Sequence, residues 1–331
     1  MKVVLEMRSA VWYTTRSFPM EQKEYTMKVK FLAWTCATAM SLTATAYVTN
    51  VWQNAAGGEW GESSNWSLGR VPTSDDWVEL PSLTGDYAIN VDGDYQVRCV
   101  RLEKTGAQTV TLTGNGAITS RTYDCYVRDE RALVLNGPSF IMTAANFMLY
   151  GPLTVKNGSV LRCSTATMWW NAPALHIESG ASAIFSSTVN VRASTSIIDV
   201  NGGTFQSPKI TRAGGYTNGG SIRVSNGGSL SVQTLDLDDG ASVSVSSGSF
   251  SVSTEITMDG TVGLSLTDGT FMLPKGKVPQ AFLDAIDGST VEYVTPTQFI
   301  DGPVTDRTVL ETLGGDSLVV ASDSDTAVHL F

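Results

Sequence analysis

Nine glycines recur along this chain at a nearly constant interval. Gly93, Gly116, Gly137, Gly158, Gly180, Gly203, Gly228, Gly248 and Gly269 are separated by 20 to 25 residues, with a mean of 22. Their surroundings repeat as well. Val243 and Val245 precede Gly248, while Phe250 and Val252 follow it. Leu264 and Leu266 precede Gly269, and Phe271 and Leu273 follow; Ile222 and Val224 precede Asn226-Gly227-Gly228, and Leu230 and Val232 follow. Apolar residues at every second position predict strands with one buried face. Glycine and asparagine at the break predict a turn with positive φ. A third apolar pair lies seven to eleven residues past the glycine, as in Val100/Leu102, Val189/Val191, Leu235/Leu237 and Ile256/Met258.

Three short strands in every 22 residues describe one coil of an all-β solenoid, a right-handed parallel β-helix. Coils stacked about 4.8 Å apart satisfy one another's backbone hydrogen bonds, and nine would extend about 40 Å. An antiparallel sandwich or barrel also shows alternating strands with turns every 8–12 residues. The constant interval and the third strand favour the solenoid.

The repeats fill residues 81–273, and what precedes them is of another kind. Residues 27–46, MKVKFLAWTCATAMSLTATA, have a basic start at Lys28 and Lys30, an uncharged stretch and a small-x-small end at Ala44-Thr45-Ala46. That is the layout of a secretory signal peptide cleaved near Ala46, too short in its apolar part to span a bilayer. A short buried helix is the alternative. Residues 1–26 then read as an N-terminal extension from an over-long gene call, or as a long n-region. Removing 1–46 leaves 16 basic and 29 acidic residues, net −13, and no transmembrane segment. An acidic chain argues against nucleic-acid binding. Charged residues make up 16% of the whole chain, against about 25% in ordinary soluble domains, which suits an extracellular β-protein. Cys99, Cys125 and Cys163 remain after cleavage. They are one bridge and one thiol, or three free buried thiols, and their spacing is not that of a zinc site.

Residues 47–80 hold Trp52, Trp60, Trp66 and Trp77, four of the six tryptophans of the mature chain. Large rings beside the first coil predict a cap over its open end, with a sugar-binding platform as the alternative. Residues 274–331 predict a second cap. Pro279–Asp287 reads as a short helix with Pro at its start and Gly288 at its end, placing Phe282, Leu283 and Ile286 against the last coil.

The segment GEWGESSNWSLGRVPTSDDWVEL resembles an opening found in secreted bacterial surface proteins, carried here by Trp60, Asn65, Trp66, Gly69, Pro72 and Asp75. The Gly-Thr/Ser-Phe/Leu turns at 203–205, 228–230, 248–250 and 269–271 resemble the repeats of autotransporter passengers and autotransporter-associated β-strand proteins. That resemblance implies export from a Gram-negative cell and a structural or adhesive role at the surface. It implies no enzyme class. No barrel-forming C-terminal domain accompanies it; Val328-His329-Leu330-Phe331 resembles a single terminal strand of one.

The chemistry-bearing candidates are few. Asp236, Asp238 and Asp239 in LDLDDG are the best carboxylates for a glycoside hydrolase or polysaccharide lyase, or for a weak calcium site. Asp236 and Asp238 would face outward together, since Leu235 and Leu237 face in; a solvated turn is the plainer reading. His176 lies between inward Leu175 and Ile177, so it faces out, and with His329 it makes no Ser-His-Asp arrangement. Trp169-Trp170 should put one ring inside and one outside, where it could stack on a sugar or pack against a turn. The expected function is therefore a non-catalytic surface or extracellular module, binding glycans or other cell-surface proteins. A carbohydrate-active β-helix enzyme is the alternative.

Overall fold

The apolar alternation becomes continuous ladders. In the computed structural model Ile89, Leu112, Leu135, Val155, Ile177, Val200, Val224, Val245 and Leu266 are successive parallel-strand partners. Eight steps thus span 177 residues, or 22 per step. The structure describes residues 48–322 apart from 104–105, 122, 129, 170–172, 213–218, 267–268, 275–276, 280, 283–290 and 295–316. The expected extension (1–26), signal peptide (27–46), Trp170, His329 and most of the helix at 279–287 lie outside the described residues.

Each coil has three faces. The first is a ten-stranded parallel sheet that includes Tyr87–Asn90, Ala132–Asn136 and Ser242–Ser246. The second and third belong to one larger sheet, because strands such as Ser139–Leu149 and Ser249–Met258 run across both. Register slips between Met142 and Asn146, and between Val232 and Thr234, mark that bend. The fold is thus an all-β parallel solenoid. Inward positions fill one elongated core in which Phe140–Phe147, Phe185–Phe205 and Phe250–Phe271 pair with centroids 5.3–5.7 Å apart. Outward positions carry polar ladders: Asn157 Nδ2 donates to Asn136 Oδ1 at 2.6 Å, and Ser242 Oγ to Ser221 Oγ at 2.9 Å.

The recurring glycines have two physical causes, where the sequence suggested one. Gly158 and Gly180 adopt φ of +80° and +76°, so a side chain there would be strained. Gly248 does not. A Cβ on it would lie 2.6 Å from the Gly228 carbonyl oxygen and 2.7 Å from Val224 Cγ1, so the neighbouring coil's backbone excludes it. At that turn the positive φ falls on Ser247 instead.

Before the first regular coil, Val48–Val51 pairs with Asp76–Glu79, which pairs with Cys99–Leu102. Trp52, Trp60 and Trp66 are fully buried and meet edge-on, with centroids 5.0 Å (52–66) and 4.9 Å (60–66) apart. Trp52 Nε1 donates to the Asn54 carbonyl, Trp66 Nε1 to that of Trp60, and Asn65 Nδ2 to that of Glu59. Those three rings have no face open to a sugar. Trp77 alone of the four stays partly exposed.

The acid that matters beside them is Asp76, one position beyond the Asp75 matched by the resemblance. Asp75 is exposed, whereas Asp76 is buried and receives both Arg70 guanidinium nitrogens, the Thr73 N–H at 2.7 Å and the Thr73 hydroxyl at 3.0 Å. Burial alone would raise its pKa; the Arg70 and Thr73 bonds outweigh burial and hold it below the ordinary carboxylate value. A carboxyl with a depressed folded pKa contributes stability above its unfolded pKa, about 4, and loses it as pH falls through the folded value. Stability should therefore drop below about pH 4. In Asp76→Asn the protein should be weaker at pH 7 and its acid-side slope shallower, by urea titrations at pH 7 and pH 3. An unchanged slope would refute the assignment.

After the last regular coil the pairing changes sense. Ser317–Ser322 runs antiparallel to Thr270–Pro274, and Val291–Val294 antiparallel to Ser317–Ser322. Ala281 and Phe282 begin a helical turn, and buried Phe282 meets Phe271 edge-on at 6.1 Å.

Candidate functional site

Parallel stacking places equivalent residues of successive coils side by side, so one position per coil becomes a column about 4.8 Å per step. On the third face, the residues directly after the strands at Leu102, Val127, Leu149, Met168 and Val191 are Glu103, Arg128, Tyr150, Trp169 and Arg192. Main-chain bonds hold that column in line: Arg128 N–H donates to Leu102 O, Tyr150 to Val127 O, Trp169 to Leu149 O and Arg192 to Met168 O. The neighbouring outward column starts with Glu79, Arg101 and Tyr126.

These side chains stack into a single stripe. Arg101 lies over the Trp77 ring and 5.0 Å from the Tyr126 centroid. Arg128 lies 4.6 Å from Tyr126 and 5.1 Å from Tyr150. Tyr150 and Trp169 are parallel within 5° at 5.6 Å, and Arg192 covers Trp169 at 3.9 Å. At the other end Trp77 meets Tyr123, over which Arg98 sits at 4.3 Å. Four arginines and five rings thus form a chain of contacts over six rungs, about 24 Å long. Because Tyr150, Trp169 and Arg192 come from successive coils, each covers the next along the stack. Ring faces are turned to one another, and the Trp77 and Trp169 indole nitrogens are buried within the stack.

Trp169 lies on the outer side of the coil with its faces taken by Tyr150 and Arg192, while its neighbour Trp170 is outside the described residues. A sugar would meet the edge of this stack. Two carboxylates stand at its first end. Glu103 Oε2 is 4.0 Å from Arg128 Nε, and burial followed by the Glu103 charge pushes Glu79 upward against the pull of Arg101.

The aspartates singled out in the sequence separate. Asp236 faces out between two coils and accepts from Thr211 Oγ1 at 2.9 Å and Thr257 Oγ1 at 2.8 Å. Asp238 is buried past the strand end at Leu237, where its Oδ1 accepts from the Asp239 N–H. Asp239 is exposed, and its Oδ1 accepts the Thr261 N–H of the next coil. Asp236 and Asp238 line a cavity of about 20 Å³ with Val191, Ile210, Gly220 and Ala241, room for one water. His176 faces out with Nδ1 3.0 Å from Asp199 Oδ2.

Cys99, Cys125 and Cys163 are buried free thiols. Burial pushes Cys125 up to about 12 and Cys163 well above the usual thiol range. Among the described residues no three His, Cys, Asp or Glu side chains gather as a metal-ligand set, and no helix is long and apolar enough to cross a membrane.

No protein-family model matches the chain, and no curated protein or solved structure does either.

Proposed function

We propose that this protein is an exported, non-catalytic surface module that uses its rigid stack of coils to hold an adhesive stripe. The observation that carries this reading is the Arg–aromatic stripe itself, fixed laterally across six rungs by the parallel register. A solenoid is stiff along its axis because each coil is bonded to its neighbours throughout. Recognition groups spaced by such a scaffold lose little freedom on binding. The signal-like segment at 27–46 and the low charged fraction support an extracellular setting, and the resemblance to secreted bacterial repeat proteins supports the same. Glycans or other surface proteins are the partners this role calls for.

A carbohydrate-active reading draws on one observation, the Glu79 and Glu103 pair beside Arg101 and Arg128 at the end of the stripe. Polysaccharide cleavage by acid–base chemistry needs such a pair. The two readings part on product formation. Expressed from Met27, the protein should be recovered outside the cytoplasm and bind whole cells or glycans. It should release neither reducing ends nor unsaturated products from a polysaccharide panel, with or without calcium. Turnover that disappears in Glu79→Gln or Asp236→Ala would overturn the non-catalytic reading.

A further inference from the structure

Resting on the adhesive reading above, we infer that the stripe from Arg98 to Arg192 binds a linear acidic glycan, one bearing carboxylate or sulfate groups, laid along the coil axis. The first reason is charge. A chain of net charge −10 gathers Arg98, Arg101, Arg128 and Arg192 on one lateral line, so that line is where an anion finds compensation. The second is geometry. Guanidinium forks suit carboxylate and sulfate oxygens, and stacking on rings holds those forks in place before the ligand arrives. The third is exposure: all four arginines stay partly exposed while their Nε atoms and the Trp169 Nε1 are buried within the stack, so a ligand meets the terminal guanidinium nitrogens. The fourth is repetition. One coil adds about 4.8 Å, so donors recur at short steps along a line, matching a polymer with an anionic group on each unit.

Glu79 and Glu103 face this line at its first end, and Arg128 is within ion-pair distance of Glu103. They set a limit on how far the polymer extends towards Trp77. Arg192 marks the other described end. A nucleic acid also carries regularly spaced anions, but its denser charge would meet an acidic protein on all other faces. It is the less favoured occupant.

Binding of the full secreted chain to polygalacturonate, heparin, neutral dextran and a single-stranded DNA 20-mer would be measured by biolayer interferometry at low and moderate salt. Both acidic glycans test the shared anion chemistry, and their ranking distinguishes carboxylate from sulfate. The expected result is binding to at least one acidic glycan, weakened by salt, with dextran bound at least tenfold more weakly. Arg128→Gln combined with Arg192→Gln should reduce that affinity at least tenfold. Arg162→Gln, an exposed arginine on the second face, should change it less than twofold. Arg192→Lys should fall between, since charge is kept but the fork is lost. Circular dichroism of each variant confirms that the fold is intact. An equal loss in Arg162→Gln would overturn the inference, as would DNA bound more tightly than either glycan. Absence of acidic-glycan binding would also overturn it, while binding to dextran or to cells would leave the adhesive reading standing.

Discussion

Replacing Arg131 by methionine is expected to cost about 3–5 kcal/mol of stability, since each buried carbonyl left without a donor costs about 1–3 kcal/mol. Arg131 is fully buried, and among the described residues no carboxylate is in ion-pair contact with it. Its guanidinium donates to four main-chain carbonyls: Leu80 at 3.2 Å, Pro81 at 3.1 Å, Glu103 at 3.5 Å and Gln108 at 3.3 Å. Those carbonyls lie at strand ends and turns of the preceding coils; Gln108 O also accepts the Ala132 N–H, and one side chain thus ties together four points of the backbone. Tyr87 reinforces the same point by donating to Pro81 O, and burial pushes its hydroxyl up to about 12. A buried ion pair can often be exchanged for apolar residues at little cost, because both partners leave together. Here the partners are backbone and cannot be replaced, and each orphaned carbonyl costs about 1–3 kcal/mol. Urea titration followed by circular dichroism should show the loss, with Arg131→Lys intermediate. A methionine variant as stable as the parent would refute this account of the junction.

Trp66→Ala should be comparably damaging, about 3–5 kcal/mol, as for other large-to-small changes at buried aromatics. The ring is wedged between Trp52 and Trp60, and its N–H is used by the Trp60 carbonyl. Trp77→Ala, in the same segment, removes a half-exposed ring covered by Arg101 and should cost about 1 kcal/mol. In a solenoid each coil is stabilised mainly by its neighbours, so damage at one end is felt there first. The part of the tryptophan fluorescence that comes from Trp52, Trp60 and Trp77 in the first coils should therefore change before the circular dichroism signal in Trp66→Ala, giving an early phase absent from the parent. Equal losses for the two variants would contradict the packing described for this segment.

The inward ladders were legible because two signals coincided, the period of two and the 22-residue spacing of turns. Val243, Val245, Phe250 and Val252 all occupy the buried positions expected of them. The stripe was hidden for the converse reason. Its column reads Glu103, Arg128, Tyr150, Trp169 and Arg192, at intervals of 25, 22, 19 and 23 residues, and mixes charge with aromatic rings. Only Trp169 stands out in the sequence, as half of a tryptophan pair. Third-face strands begin after bends of variable length, as at Met142/Asn146, so their register cannot be counted from the turn glycines. Asp238 shows the same limit at short range. Alternation pointed it outward beside Asp236, but the strand ends at Leu237 and the turn carries Asp238 inward.

Coil deletion tests the central claim, that the chain is a stack of equivalent coils with its recognition groups on one flank. Ser221 and Ser242 are register partners one coil apart, so removing residues 221–241 joins two equivalent points. The product should be soluble and β-rich, should melt cooperatively, and should keep acidic-glycan binding, because the stripe ends at Arg192. Removing residues 221–231, half a coil, should abolish folding, since every later residue would then face the wrong neighbour. A full-coil deletion that unfolds as completely as the half-coil deletion would contradict the account.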